Sequence, residues 1–465
     1  MMKHGFLLYI CLIFNFYPIM AEPVDSAFIE KLGLPILSIQ TIDNAMPTCD
    51  YVWAPEGEYG ISTINKTKVP GRIILSLHDS ILYDSGNYQK DKSGMKIRIR
   101  GNTSAYYSYK KPYKIKLEKK ADLLCRHNNK YNDKNWLLLD QGGDNLKWTI
   151  GFKLNELLNL GGWTTNYMYV NLFFNGDYHG IYMLVESIKR NADCRINVDS
   201  DSGYIIERDA YWWNESQYFT SITDKKYTFK YPDEPTTEQI ETIRHNINDV
   251  EKAIETGNYG DYIDIPSFAK WLLAQDILGN KDAGGTNIFM TKYNMESDSK
   301  ITMSTLWDFD SSFRTQNEWS QIHNNQSFFY FPLLINNSNN AFVLSYKQLW
   351  REKGDSIIQS LIDYIEDFGY SELAKSIQQS RKYDGEKWNY PPDSVQQNIN
   401  EALEWFTTRK QWLDDNIEAI NDNSIIESIT YTKHHHNHLY NLQGHIVNNP
   451  RKGVYIKNGR KVIIK

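Results

Sequence analysis

Residues 279–287 of this 465-residue chain read GNKDAGGTN, and residues 307–310 read WDFD. Asp282 and Asn287 stand five positions apart on what the neighbouring glycines predict to be a loop, and Asp308 follows after a short apolar strand. Asp and Asn beside glycine are also ordinary turn residues, so the first stretch by itself fits a simple turn equally well. The second stretch is harder to explain in that way, because two carboxylates at the end of an apolar strand need a partner or a metal ion.

The composition is that of a folded globular protein with a sizeable core. Hydrophobic residues make up 41% of the chain and charged residues 23%, and the length allows roughly two or three domains. The formal net charge of -6 argues against a broad nucleic-acid-binding surface, so we expect no nucleic-acid partner. Beyond the N-terminal segment the cysteines are too few and too widely spaced for a disulfide scaffold or a cysteine metal site, although one disulfide can form: Cys49, Cys125 and Cys194.

The N-terminus has the parts of a secretory signal peptide, which we place at residues 1–21. A short basic start precedes an apolar run over residues 6–16, and a polar, acidic sequence follows. The apolar run is too short for a membrane span, although an uncleaved anchor is the alternative. We therefore expect the mature chain to lack a transmembrane span and to be secreted or located at the cell surface.

Hydrophobic periodicity divides the remainder into segments. We predict a β-rich N-terminal segment (22–94), a main domain (95–421), a polar linker (422–438) and a small β-hairpin tail (439–465). The predicted strands of the main domain that are most clearly bounded are 95–100, 110–117, 167–174, 180–185 and 203–207. The predicted helices are 146–160, 236–256, 266–279, 355–367 and about 393–422.

The C-terminal region reads as a linker followed by an attachment element. The histidine cluster at residues 434–438 can bind a metal weakly, but its polar surroundings favour a solvated linker. The last hairpin has an Asn458-Gly459 turn and is too small to be stable without docking or pairing.

The acidic residues are suited to phosphoryl transfer, which depends on positioning and on charge neutralisation. Magnesium prefers hard oxygen ligands and keeps several waters, so a few side chains suffice. Asn287 and Asp308 are the predicted ligands, with Asp310 as a further candidate. Asp282 would orient or deprotonate the hydroxyl of an acceptor.

Cations for the phosphates are expected on the early strands. Lys111, Lys114 or Lys116 could reach them, and Arg100 lies in the adjoining turn. Lys114 and Lys116 alternate with apolar residues, so a solvated strand face is the alternative, whereas Lys111 is in phase with the apolar side.

Glu186 ends the second strand of a hairpin and precedes the helical half of the chain. The chain runs from lysine-bearing strands through one helix and a hairpin to Glu186, and then into a helical half that holds the acidic residues. This is the order of elements in a two-lobed kinase. Backbone groups near Glu186 would then lie beside an adenine edge. The alternative is that Glu186 caps the next turn.

Several ordered motifs resemble the spore coat protein H (CotH) kinase family. They are RIRGNTS at 98–104, KKPYKIKL at 110–117, VNLFFNGDYHGIYMLVE at 170–186, the stretch 280–287 and WDFD at 307–310. The likeness is good over roughly residues 95–320 and looser to about 420.

The resemblance implies an α+β fold, an atypical minimal protein-kinase-like fold with two lobes. It also implies an enzyme that uses ATP and a divalent metal, here Mg²⁺, to phosphorylate Ser or Thr of a protein acceptor. That acceptor can be the chain itself. The resemblance implies that Asp282 is catalytic and that Asn287 and Asp308 bind metal. It also implies that a lysine of residues 110–117 binds phosphate. The tail resembles the sorting or surface-retention tails of secreted bacterial proteins.

Two alternatives stay open at this point. The chain can be a catalytically inactive, kinase-like surface binding or scaffold protein, as its export signal and aromatic content allow. It can also transfer another group from ATP, such as AMP, because the same acidic cluster would serve that chemistry.

Overall fold

The computed structural model describes residues 26–140, 146–313, 323, 328–390, 394–420, 439–440, 453–457 and 460–464. The predicted signal peptide (1–21), the predicted linker with its histidines (422–438) and the turn at 458–459 lie outside these residues.

The described residues form eighteen β-strands and nine α-helices. The strands are β1 (Ile36–Thr41), β2 (Asp50–Trp53), β3 (Ile61–Ile64), β4 (Val69–Leu77), β5 (Ser80–Asp84), β6 (Met95–Ile99), β7 (Tyr113–Ala121), β8 (Asp133–Asp140), β9 (Tyr167–Phe174), β10 (Asp177–Glu186), β11 (Tyr204–Arg208), β12 (Tyr218–Thr220), β13 (Lys226–Tyr231), β14 (Ile288–Lys292), β15 (Ile301–Met303), β16 (Leu439–Tyr440), β17 (Gly453–Lys457) and β18 (Arg460–Ile464). The helices are α1 (Ser26–Ile29), α2 (Thr103–Tyr107), α3 (Lys147–Leu158), α4 (Thr237–Thr256), α5 (Ile265–Leu278), α6 (Phe331–Ile335), α7 (Ala341–Tyr370), α8 (Glu372–Trp388) and α9 (Val395–Glu418).

The N-terminal half is built on a closed sheet. Its strand order is β1-β9-β10-β8-β7-β6-β4-β5, and β1 also pairs with β4, so seven strands close on themselves and β5 lies outside the ring. The β1–β9 pair is parallel, whereas β1–β4 is antiparallel with Ile39 opposite Ile73. Closure pairs the seven ring strands on both sides and creates an interior that side chains can fill.

Alternation along β6 and β7 sorts their side chains between the two faces of the sheet. Ile97 and Ile115 are fully buried inside the barrel, while Arg98 and Lys114, which are opposite each other across the two strands, point outward. The period-2 pattern seen in the sequence therefore produces both an apolar barrel core and a basic outer face.

The mixed α and β content agrees with the prediction, but a clear two-lobed division is not seen. The predicted boundary at residues 94 and 95 falls inside the barrel, because β1 and β4 belong to the same sheet as β6–β10. An alternating strand pattern indicates which face is buried but does not identify the partner strand, so closure through β1 could not be predicted from it.

A second antiparallel sheet, in the order β12-β13-β11-β14-β15, connects the barrel to the helices. The central helix of that layer is α5, in which eleven of fourteen residues are buried. The Trp271 ring of α5 stacks on Phe331 at a centroid distance of 5.5 Å. Removing a large side chain from such a core costs about 2–5 kcal/mol, so α5 is a rigid support for the loop that follows it.

The helix predictions vary in accuracy. Residues 236–256 and 266–279 agree with α4 and α5 to within a residue or so, and the predicted helix at 393–422 corresponds to α9. The predicted helix 355–367 is only the middle of α7, and α8 was not predicted. None of the helices among the described residues is sufficiently long and apolar to span a membrane.

Three further features bear on the sequence predictions. The thiols of Cys49, Cys125 and Cys194 are free, so the disulfide that the count allowed does not form among them. In the C-terminal region β17 and β18 pair as an antiparallel hairpin, and β16 extends it to three strands.

Candidate functional site

The loop that carries Asp282 and Asn287 begins where α5 ends. Gly279 adopts a left-handed conformation (φ 59°), and its N–H donates to the carbonyl oxygens of the last helical turn. Residues 281–284 then form one 3₁₀ turn, on which the Asp282 side chain is exposed. Asn287, at the end of the loop, is also left-handed (φ 59°), a conformation that Asn tolerates better than most residues.

Asp308 lies directly beside this loop. The Asn287 Nδ2 donates to Asp308 Oδ2 over 3.1 Å, and the fully buried Asn280 donates its Nδ2 to the Asp308 main-chain oxygen over 2.9 Å. Asp308 itself has a φ of 65°, which is uncommon for a non-glycine residue and marks a constrained backbone. The loop at 279–287 and the WDFD stretch therefore form one site.

Asp310 is positioned by α3. Trp148 Nε1 donates to Asp310 Oδ1 over 2.7 Å, and Lys147 Nζ donates to the Asp310 main-chain oxygen over 2.9 Å. Phe309, between the two aspartates, is fully buried against α3, where a Cβ on Gly151 would lie 2.3 Å from its ring. The helix thus fixes the spacing of the two carboxylates.

Asp282, Asp308 and Asp310 form what we call the acidic cluster, in which negative charge is in excess. Burial, followed by the nearby Asp310 and Asp282 carboxylates, raises the pKa of Asp308 to about 7, although Arg100 and the Asn287 bond oppose the shift. A divalent cation would relieve this repulsion. Asn287, Asp308 and Asp310 provide the hard oxygen atoms that Mg²⁺ binds, so these residues fit the ion.

The carboxylates are not a preformed cage. Within the part of the chain that the structure describes, no group of three or more His, Cys, Asp or Glu side chains is arranged to hold a metal ion. Mg²⁺ is commonly held by one or two carboxylates together with waters and substrate phosphates, so an incomplete protein shell is compatible with that ion.

A basic surface faces Asp308 from the outside of the barrel. Burial lowers the pKa of Arg100, and the Asp308 carboxylate opposes this shift, so the two groups interact across the site. Burial, together with repulsion from Arg98, Lys230 and Arg100, lowers the pKa of Lys114 to about 8. We call Arg98, Arg100, Lys114 and Lys230 the cationic wall.

Lys230 is the member of the wall with a direct ion-pair partner. Its Nζ lies 2.6 Å from Glu207 Oε2, across the paired strands β11 and β13. This carboxylate raises the pKa of Lys230, so the pair keeps a charged lysine beside Lys114 despite burial. For Lys114, the Asp233 carboxylate opposes the lowering of its pKa.

The other two predicted lysines lie elsewhere. Lys111 Nζ donates to the Ala105 main-chain oxygen over 2.7 Å and sits 5.7 Å from the centroid of the Tyr51 ring. Lys116 is exposed on β7, opposite Lys96 of β6. Of the three lysines, the structure brings only Lys114 close to the other charged groups of the site.

The Glu186 side chain is enclosed by basic and aromatic residues. Its carboxylate is fully buried, pairs with Arg195, and lies 2.8 Å from Arg126 NH2. Trp163 Nε1 and the Asn166 N–H donate to its other oxygen over 3.2 and 3.1 Å. The carboxylate therefore joins β10 to neighbouring segments, and the Glu186 N–H is also bonded, to the Asn166 main-chain oxygen.

Sequence reasoning missed Arg98, Lys230, Asn280 and Ser311. Arg98 could have been found, because it follows the same alternation as Arg100 and faces Lys114 in register. Lys230 is distant in sequence, and nothing local marks it. Ser311 follows the WDFD stretch directly, and its hydroxyl hydrogen bonds to Asp282 Oδ2.

A cavity of about 530 Å³ lies at the hairpin formed by β14 and β15. Its lining includes Asp264, Thr291, Tyr293 and Lys300, and it shares no residue with the acidic cluster or the cationic wall. We place the candidate site at the acidic cluster, because the opposed charges converge there.

Comparison with known protein families assigns the chain to one family. The family model described as CotH kinase protein matches residues 97–413, which is more than half of the chain and contains the acidic cluster and the cationic wall. The chain therefore belongs to the CotH kinase protein family, as its motifs predicted.

Other comparisons add little. No curated protein matches the chain. Among solved structures, a chain from the complex of the Shewanella oneidensis MR-1 toxin–antitoxin proteins HipA and HipB with operator DNA matches at 13% identity and a TM-score of 0.29. The match covers 63% of this chain and 61% of that chain, and its TM-score is too low to establish a shared fold.

Proposed function

We propose that this protein transfers a phosphoryl group from ATP to a Ser or Thr hydroxyl of a protein acceptor, with Mg²⁺ bound at the acidic cluster. The observation that carries the proposal is the opposition of two charged surfaces: Asp308 with its neighbouring carboxylates on one side, and Arg100 with Lys114 on the other. Membership of a family of kinase proteins supports it.

Asn287, Asp308 and Asp310 would hold Mg²⁺, which would neutralise the negative charge of the phosphates. Asn287 uses its amide nitrogen to bond Asp308, so its amide oxygen is the atom left for a cation. Trp148 holds one oxygen of Asp310 and thereby orients the carboxylate.

Arg100 and Lys114 would bind the phosphates from the opposite side. Both side chains are half-buried, and charge interactions are stronger where water is partly excluded. Lys114 is repelled by three cations in the empty wall, so an anion placed there relieves a repulsion as well as forming new contacts.

Asp282 would accept the proton of the attacking hydroxyl. It is exposed on its 3₁₀ turn, and its carboxylate already accepts a hydrogen bond from a serine hydroxyl, Ser311. A general base must be within hydrogen-bond reach of the proton that it removes, and this contact shows that Asp282 can hold an alcohol in that way.

Calorimetric titration with a non-hydrolysable ATP analogue, with and without Mg²⁺, tests the nucleotide site. We expect Mg²⁺-dependent binding in the wild type and a loss of at least about tenfold in affinity, about 1.4 kcal/mol, for Asp308→Asn. Asp249→Asn, an exposed carboxylate on α4, is the matched control and should bind normally. Absence of binding in the wild type would refute the proposal.

Mass analysis of the products decides between the reactions that the acidic cluster could support. A mass gain of one phosphate on an acceptor protein, abolished by Asp282→Asn, is expected. A gain of one AMP would identify nucleotidyl transfer instead. Nucleotide binding without any product, under conditions where Asp282→Asn changes nothing, would identify a binding or scaffold protein.

We also propose that the protein acts outside the cytoplasm, at the cell surface or after secretion. The signal-peptide features of residues 1–21 and the hairpin of β17 and β18 support this location. Fractionation of cells that express the full chain should find it in the envelope or the medium, and deletion of residues 1–21 should retain it in the cytoplasm. Cytoplasmic recovery of the full chain would contradict the proposed location.

A further inference from the structure

Ser311 occupies a specific place in the site. Its hydroxyl donates to Asp282 Oδ2, the oxygen of the proposed base, and the residue is 4% exposed. Asp282 in turn acts electrostatically on Asp308. A serine hydroxyl therefore contacts the proposed base, which itself interacts with the proposed metal ligand Asp308.

The backbone around Ser311 is fixed on both sides. The Ser312 N–H donates to the Phe309 oxygen over 2.9 Å, which closes a turn over Ser311, and Phe309 is fully buried against α3. The Phe313 N–H donates to the Leu278 oxygen, also over 2.9 Å, which ties the following residue to the end of α5. A hydroxyl held in this way loses little further freedom when it reacts, and such positioning can contribute several kcal/mol to a rate.

We propose that Ser311 is a site of self-phosphorylation, in which its hydroxyl takes the place of the hydroxyl of an external acceptor. This rests on the proposed phosphotransfer function. The Ser311 Oγ forms a bond to the γ-phosphorus of ATP, the bond between that phosphorus and the bridging oxygen breaks, ADP leaves with the electron pair, and the Ser311 proton passes to Asp282 Oδ2.

Phosphoserine at this position would change the site. It would add up to about two negative charges beside Asp282, Asp308 and Asp310, where negative charge is already in excess. It would also remove the hydroxyl hydrogen that Ser311 donates to Asp282. The modification therefore frees the base and raises the demand for a cation at the same site.

Ser312 provides a matched control. It is adjacent and fully buried, but its hydroxyl has no hydrogen-bond partner among the described residues, so it makes no contact with the base. Ser311→Thr is a second control, since it keeps a hydroxyl on the same backbone.

The full chain is incubated with Mg²⁺ and ATP without an added acceptor, and the phosphorylated residue is mapped by mass spectrometry. We expect one phosphate at Ser311, with a first-order rate constant independent of protein concentration. Ser312→Ala and Ser311→Thr should still be modified, and Ser311→Ala should not.

A binding measurement provides a second readout that does not depend on turnover. ADP, Mg²⁺ and aluminium fluoride mimic the transferring phosphoryl group, and the proposal places the Ser311 hydroxyl at its attacking side. We expect them to raise the melting temperature of the wild type and Ser312→Ala more than ADP and Mg²⁺ alone do. The extra increase should be absent in Ser311→Ala.

The outcomes separate the two proposals. Phosphate on other residues or on an added protein, with none at Ser311, would overturn the self-acceptor role and leave the phosphotransfer function intact. A modification rate proportional to protein concentration would also overturn it, because transfer would then occur between molecules. Absence of any nucleotide-dependent shift in melting temperature would overturn both.

Discussion

Replacement of Lys114 by methionine should make the protein more stable at neutral pH and weaken nucleotide binding. Lys114 is half-buried in the cationic wall, and its pKa is lowered to about 8 by its partial burial and by Arg98, Lys230 and Arg100, in that order, with Asp233 as the opposing charge. Methionine has a similar length and no charge, so it removes the repulsion while filling much of the same volume.

The magnitude follows from the difference between the pKa of about 8 in the folded protein and the ordinary lysine pKa of 10.5. At pH 7 the lysine is charged in both the folded and the unfolded chain, and its charge costs the folded state about 3 kcal/mol at 1.36 kcal/mol per pKa unit. Between the two pKa values the unfolded chain binds more protons than the folded protein, so wild-type stability rises with pH in that window. At pH 9.5 the cost falls to about 1 kcal/mol.

Urea denaturation at pH 7 and pH 9.5 measures this effect. We expect Lys114→Met to exceed the wild type in free energy of unfolding by up to about 3 kcal/mol at pH 7, and by about 2 kcal/mol less at pH 9.5. The comparison between the two pH values cancels any change in packing, which does not depend on pH.

Lys116→Met is the matched control, because Lys116 is exposed two residues further along the same strand. Its stability should stay within about 0.5 kcal/mol of the wild type at both pH values. For nucleotide, Lys114→Met should bind at least about tenfold more weakly, whereas the control should bind normally. Equal stability of Lys114→Met and wild type at both pH values, or unchanged nucleotide affinity, would refute the reasoning.

Three other substitutions test the remaining parts of the site. Asp308→Asn should raise the melting temperature near pH 8, because it removes carboxylate repulsion, and should abolish the effect of Mg²⁺ on nucleotide binding. A variant that keeps the Mg²⁺ effect would exclude Asp308 as a ligand. Glu186→Gln should lower the free energy of unfolding by about 3–5 kcal/mol, because Arg195 is left buried without its carboxylate, and nucleotide affinity of the folded protein should not change. A stable variant would show that the Glu186–Arg195 pair is dispensable. Gly151→Ala should lower the free energy of unfolding by about 1–3 kcal/mol although alanine favours helices, because its Cβ would lie 2.3 Å from the Phe309 ring. An unchanged midpoint of chemical denaturation would contradict this packing.

The order of the chemistry-bearing residues could be predicted from the sequence. Asp282, Asn287 and Asp308 come together because one short strand pair separates the loop from the WDFD stretch, and a hairpin of that size returns the chain to its starting edge. The end of α5 at Gly279 and the left-handed backbone of Asn287 depend on the residue type at those positions, so the local sequence specifies them directly.

The roles of individual basic and acidic side chains could not be predicted in the same way. Alternation placed Lys114 and Lys116 on one face of β7, yet Lys114 is half-buried and interacts with Lys230, which lies on β13 more than a hundred residues further along the chain, whereas Lys116 is exposed. The position of Glu186 at the end of a hairpin strand predicted an adenine edge beside its backbone, or a cap for the next turn, but did not reveal that Arg126 and Arg195 enclose its carboxylate.

By itself the sequence determined the family, most strands and helices, and the acidic loop, because hydrophobic period, turn residues and short motifs act over a few positions. The tertiary structure alone decided that β1 closes a barrel with β4 and β9, that Arg100 interacts with Asp308 across the site, and that the Ser311 hydroxyl hydrogen bonds to Asp282. The physical reason is that strand partners and buried charges depend on contacts between distant segments, and a period-2 pattern specifies a face without specifying what covers it.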